Sequence, residues 1–176
     1  MDIPSPGAHN DHMMRQTRMH HVQLSSLADM KANMLLTAAS LVITLSAPNV
    51  VRPDLRWGIV VLIAFSLVTI CLATWATVPK VRLPHGSGGS PPDLDSPRFN
   101  ILFFGHFLQL GYEEYEAAME RVLSDHNENY RAQLRELYTL GAYLAAKKYR
   151  YLRLAYLAFI VGLALSGIVL TVTVVA

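Results

Sequence analysis

The 176-residue chain is short of charge: Asp, Glu, Lys and Arg make up 16% of it, against roughly 25% in a soluble domain. The formal net charge of +2 is too small to argue for nucleic acid. A single cysteine, Cys71, excludes an intramolecular disulfide and a thiolate metal cluster. Seven histidines, His9, His12, His20, His21, His85, His106 and His126, form no HExxH and no Cys/His knuckle. His20 and His21 are adjacent, so on a helix they cannot both face one ion. P-loop, GxGxxG and GxSxG patterns are missing. With no catalytic constellation visible, the chain reads as a binding and membrane protein rather than an enzyme, with no cofactor. The opening MDIPSPGAHNDHMMRQTRMHH has no apolar run. It is not expected to be a cleavable signal peptide, and the first membrane helix should serve as the insertion signal.

What the chain does have is apolar sequence, 52% of residues, gathered in three blocks. Between Trp57 and Trp75 lies an uncharged run, GIVVLIAFSLVTICLAT. Its length of about 27 Å as a helix matches a bilayer's hydrocarbon core, and tryptophan favours both interfaces. Leu154–Ala176 is likewise uncharged, with Tyr149, Tyr151 and Tyr156 at its entry and Arg150 and Arg153 before it. The block from Ala32 to Ala47 is shorter and less apolar, so a re-entrant or interfacial helix is its alternative reading. A crossing is preferred, because only PNVVRPD separates it from the next span, and Pro48 and Pro53 make a hairpin there. Charge bias agrees. Arg15, Arg18, Lys31, Lys80, Arg82, Lys147, Lys148, Arg150 and Arg153 then share one side, against Arg52 and Arg56 on the other. By the positive-inside rule the richer side is the cytoplasm. The expectation is an all-α integral membrane protein with three transmembrane helices and a cytoplasmic helical region continuous with the third span. Its segments are 1–27 (cytoplasmic), 28–47 (first span), 57–78 (second), 79–150 (cytoplasmic linker and helical sensor region) and 151–175 (third). The bacterial inner membrane is the expected location, with the N-terminus and long loop cytoplasmic and the C-terminus periplasmic.

The first span carries a polar stripe. Ser26, Asp29, Asn33, Thr37, Ser40 and Thr44 are spaced 3, 4, 4, 3 and 4 apart, within about 80° of one helix face. A polar face in lipid meets another helix or water. Ordinary helix packing is one reading. The sharper one makes Asp29, Asn33, Thr37, Ser40 and Thr44 a pore or oligomer face, with Asp29 and Asn33 at its cytoplasmic mouth. Ala158, Gly162 and Ser166, and more weakly Ser66, Thr69 and Ala73, form small-residue packing faces.

Between the second and third spans, LPHGSGGSPPDLDSP (83–97) is a linker by composition. Phe99, Phe103, Phe104 and Phe107 make the next segment aromatic, and Gly111 should break the chain. Tyr112 to about Ser124 reads as a helix with Glu113, Glu114 and Glu116 near its start, as the helix dipole favours. From about Asn127, Tyr130, Leu134, Leu137, Gly141 and Leu144 repeat at 4, 3, 4, 3. No breaker precedes the third span, so one long helix is expected.

Three segments, HHVQLSSLADMKANMLLTAASLVITLS, NILFFGHFLQLGYEEYEAAM and LYTLGAYLAAKKYRYLRLAYLAFIVG, make the chain resemble the Pycsar transmembrane effectors. The resemblance runs from about His20 to about Gly167, with LADMKANMLL its most specific motif. It implies an antiphage defence effector that binds a cyclic pyrimidine nucleotide, cyclic UMP in preference to cyclic CMP, made by a partner pyrimidine cyclase. It further implies that the bound effector impairs the inner membrane, so that abortive infection kills the cell before the phage matures. Some relatives carry an HD phosphohydrolase domain ahead of this module; none is expected in this chain, so no hydrolase activity is expected to carry over. A cyclic monophosphate calls for a basic group, an aromatic face and an amide. Arg98 with Asn100, Phe103 and His106 is one candidate set; Arg15 and Arg18 with Lys31 is another. Basic residues at a membrane edge also serve topology and headgroups. A homo-oligomer in the bilayer is expected, without nucleic acid. The alternatives are a non-lethal accessory or scaffold subunit holding a partner by its cytoplasmic helices, and a membrane-bound hydrolase using the histidines.

Overall fold

In the computed structural model, residues 7–78, 93, 94, 96 and 99–175 are described. Arg98 and most of the linker expected at 83–97 lie outside them. The chain is helical: α1 (Ala8–Ser46), a 3-10 turn (Ala47–Val51), α2 (Arg56–Thr77), α3 (Phe104–Phe107), α4 (Tyr112–Ser124), α5 (His126–Tyr143), a π turn (Leu144–Tyr149) and α6 (Arg150–Val175). No strand occurs among the described residues. Three helices are long and apolar enough to cross a membrane, as the fold read from sequence requires. The chain divides into two compact units, Met1–Val22 with Pro79–Ala142, and Gln23–Val78 with Tyr143–Ala176.

The second unit contains the three spans. Hydrophobic burial gives little drive between helices in lipid, so small residues that allow close approach decide the packing. On α2 the buried set is Gly58, Ile59, Ser66, Thr69, Ala73 and Ala76. On α6, Leu152, Ala155, Gly162 and Ser166 are buried. The two helices are antiparallel: Gly58 approaches Leu170 and Phe65 approaches Gly162, while Trp75 meets Tyr151 edge-on at 6.5 Å. The Ser166 hydroxyl donates to the Gly58 carbonyl at 2.9 Å. Helix α1 adds Ala28 and Ala32 against Leu152, and Leu35 beside Ala73 and Ala155. Lys148 meets Asp29 and Tyr156 meets Lys31, so α1 and α6 run parallel. The spans therefore alternate in direction, and α1 and α6 enter the bilayer from the same side.

A Cβ on Gly162 would stand 2.3 Å from Cβ of Phe65, an atom too close to its own backbone to move aside. Gly162→Leu is expected to force α2 and α6 apart at a cost of about 1–3 kcal/mol or more. Pairing it with Phe65→Gly, which removes that Cβ, should recover part of the loss, as read by thermal unfolding in detergent.

In the other unit α1 and α5 also run parallel. The Tyr130 hydroxyl donates to Asp11 at 2.7 Å, Arg18 pairs with Glu136, and Gly141 leaves room for the His21 ring. Met14, Tyr130 and Leu137 form the cluster between them. Helix α4 starts at Gly111, whose N–H donates to the Glu114 carboxylate at 3.1 Å. That contact is half of a capping box. Helix α4 contributes Ala118 and Val122 to a second cluster with Phe99 and Ile101. At the head of α5, Asp125 Oδ1 accepts from the Asn127 N–H at 2.8 Å, an N-cap arrangement.

From His126 the chain stays helical to Thr173, the long helix expected, with a π turn at Leu144–Tyr149 inside it. The sequence supplies the reason. The series Tyr130, Leu134, Leu137, Gly141 and Leu144 alternates spacings of 4 and 3, but Leu144, Lys148 and Leu152 follow at 4 and 4. One residue too many accumulates for a straight seam, and a π turn absorbs a single extra residue.

Candidate functional site: an arginine-lined cavity and a polar helix face

The aromatic segment folds into a tight turn around Asn100. That side chain is buried, at 1% exposure. Its amide nitrogen donates to the Thr139 hydroxyl at 3.0 Å, and its oxygen accepts from the Leu102 N–H at 3.0 Å. The Asn100 N–H donates to His106 Nδ1 at 2.9 Å. His106 in turn stacks on Phe99 and meets Phe103 edge-on. Asn100, Phe103 and His106 are thus brought together, and the amide and the imidazole are engaged in holding the turn. Phe103 remains exposed.

Partial burial lowers the His106 pKa below its ordinary 6.5, and its Nδ1 can accept from Asn100 only while unprotonated. A depressed folded-state pKa gives stability that is present above the unfolded value and lost as pH falls through the folded value. The unfolding temperature of the detergent-purified chain should therefore fall on acidification below about pH 6.5. His106→Asn should blunt that dependence.

On the other side of Asn100 opens a cavity of about 440 Å³, within the range of small-ligand sites. Phe99, Ile101, Val122 and Asn100 contribute to its wall, with Arg121 from α4 and Arg131 and Arg135 from α5. Asp125 and Glu128 also line it. Arg135 donates to the Phe99 carbonyl at 2.8 Å, which fixes the guanidinium against the turn. Arg131 pairs with Glu128 at 2.7 Å. A guanidinium has five donors, so such contacts leave donors for a phosphate. Three arginines against two carboxylates give the cavity a positive excess suited to one negative charge. Among the described residues of the sequence-derived set, Asn100 lines it. The arginines were not singled out from sequence. The available signal was Arg131 and Arg135 four residues apart, on one face of α5.

Arg15 and Arg18 line another cavity of about 420 Å³ with Asp11, Asn129 and Gln133. Lys31 belongs to the membrane unit and is exposed.

The polar stripe of α1 lies away from α2 and α6. Ala28, Ala32, Leu35 and Ala39 are buried, whereas Ser26, Asn33, Thr37, Ser40 and Thr44 are exposed and Asp29 is half-buried. Ser26, Asp29, Met30, Asn33, Met34 and Thr37 line an open groove along the helix. Thr37 donates to the Asn33 carbonyl and Thr44 to the Ser40 carbonyl, each at 3.0 Å. The Asn33 amide has no partner among the described residues. No group of three or more His, Cys, Asp or Glu able to hold a metal ion occurs among the described residues.

A family model described as the Pycsar effector protein domain matches residues 12–175. No curated protein and no solved structure matches the chain.

Proposed function

The chain belongs to the Pycsar effector family, and from that premise we propose that it is a membrane effector switched on by a cyclic pyrimidine nucleotide. The family is one of downstream effectors in antiphage defence, and three membrane-crossing helices suit a protein whose target is the bilayer. A partner cyclase makes the nucleotide on infection. The nucleotide binds the arginine-lined cavity, copies of the chain assemble through the polar face of α1, the inner membrane is impaired and the cell dies. Such a protein works by binding and assembly, without catalysis of its own. The basic residues beside the spans orient it with the nucleotide-binding unit in the cytoplasm and the C-terminus in the periplasm.

The observation that carries the sensor assignment is the cluster of Arg121, Arg131 and Arg135 around Asn100 and Phe99. Guanidinium groups match phosphate oxygens. A guanidinium placed at the C4 position of the base would favour uracil over cytosine, because uracil presents a carbonyl acceptor there and cytosine an amino donor. Cyclic UMP is therefore the preferred ligand. Calorimetry of the full chain in detergent should show binding of cyclic UMP, weaker binding of cyclic CMP and none of cyclic AMP. Absence of heat with both pyrimidine nucleotides overturns the reading.

A further inference from the structure

Lys148 sits in the π turn with its side chain only 12% exposed. Its ammonium donates to Asp29 Oδ2 at 2.7 Å and to the Ser25 hydroxyl at 2.8 Å. Next to it the Tyr149 hydroxyl donates to the Leu24 carbonyl at 3.0 Å. Directly below, Ala28, Ala32 and Leu152 close into an apolar cluster. A lysine pointed inward at the edge of a membrane bundle is costly unless paired, and removing one partner of such a pair leaves an uncompensated charge. Asp29 has a second aspect: it also borders the groove that contains Asn33 and Thr37. While the two are paired, the Lys148 ammonium offsets the charge of that carboxylate, which weakens the attraction Asp29 can offer a neighbouring copy across the groove.

The π turn makes this contact conditional. In an α-helix each residue advances about 100° around the axis. A π turn holds one extra residue, and its loss or migration changes the facing of the residues within it by about that angle. Lys148 and Tyr149, both in the turn, are the residues bonded to α1 at this level.

We propose that the Lys148–Asp29 pair is a latch. Set by the π turn, it keeps Asp29 within its own chain and opposes assembly through the α1 groove until the turn changes register. The proposal rests on the reading of that groove as the assembling face. In the resting chain the latch is closed; a register change in Leu144–Tyr149 opens it and presents the Asp29 carboxylate at the mouth of the stripe.

The test uses the full chain in dye-loaded proteoliposomes with no nucleotide added. Lys148→Met keeps the length and apolar stem but releases Asp29, and should raise leakage at least about tenfold over wild type, a coupling of ordinary allosteric size. Lys148→Arg should leak like wild type. The exchanged pair, Asp29→Lys with Lys148→Asp, should return leakage to the wild-type level, which a variant that merely misfolds would not do. Wild-type leakage from Lys148→Met, or leakage from the exchanged pair equal to that of Lys148→Met, overturns the latch. If cyclic UMP and cyclic CMP leave wild-type leakage unchanged, nucleotide gating fails, while the nucleotide-free comparison still decides the latch.

Discussion

Replacing Arg131 with alanine should weaken cyclic UMP binding by about 10- to 100-fold. A hydrogen bond to a charged group contributes about 1.5–3 kcal/mol, and each 1.4 kcal/mol is tenfold in affinity. Arg131→Glu should weaken binding by more than 100-fold, since it replaces attraction for the phosphate with repulsion. The fold should survive both changes. Arg131 is exposed, its partner Glu128 is partly so, and exposed ion pairs contribute about 0–1 kcal/mol. Arg135 is a poorer probe, because its bond to the Phe99 carbonyl ties it to the turn itself. Arg15→Ala is the matching control from the neighbouring cavity. Calorimetry on the three variants separates the two cavities. Loss on Arg15→Ala with Arg131→Ala unchanged would move the nucleotide to the Asp11, Arg15 and Arg18 side.

The spans were legible because their signals are local. Two tryptophans bracket an uncharged run, and α2 spans Arg56–Thr77. Gly111 and the glutamates after it mark the start of α4 at Tyr112. The early start of α1 at Ala8 was not legible. The segment from Ala8 to His21 is polar, and the partners Tyr130, Glu136 and Gly141 that flank it come more than a hundred positions later in sequence. The π turn is written in the consecutive spacings of Leu144, Lys148 and Leu152, but it reads as drift until the buried face of α6 is known.

The functional residues divide in the same way. Asn100, Phe103 and His106 looked like a ligand set because an amide, an aromatic ring and an imidazole cluster in one short segment. The same composition suits a self-bonded turn, and sequence cannot tell an amide that bonds a ligand from one that bonds Thr139. The cavity's arginines lie on two helices, and only the turn at Asp125 brings Arg121 toward Arg131 and Arg135. The α1 stripe was fully visible in sequence. What sequence left open was whether its polar face met α2 and α6 or faced away. That was settled by Ala28, Ala32 and Ala39, the small residues that take the inward face.

Because the stripe faces away from its own bundle, Asn33→Leu combined with Thr37→Leu should abolish toxicity while the chain still inserts. Cells expressing the double variant with an active cyclase should grow like cells without one, and membrane fractionation should recover the protein in full. Asn33 is the stronger of the two positions. Its amide has no partner among the described residues, and a polar group left to hydrocarbon is costly. The Thr37 hydroxyl is already satisfied by the Asn33 carbonyl. A hydrogen bond between membrane helices contributes about 0.6–2 kcal/mol, so Asn33→Leu alone should reduce toxicity and the pair should remove it. Neither residue is buried, so leucine there leaves the Ala28, Ala32 and Leu152 contact undisturbed and makes the span more apolar. Lost toxicity therefore cannot be put down to failed insertion or failed packing of the three spans. Undiminished toxicity would mean that the copies meet elsewhere, and the membrane-damaging face would have to be sought on α2 or α6, whose lipid-facing surfaces are apolar.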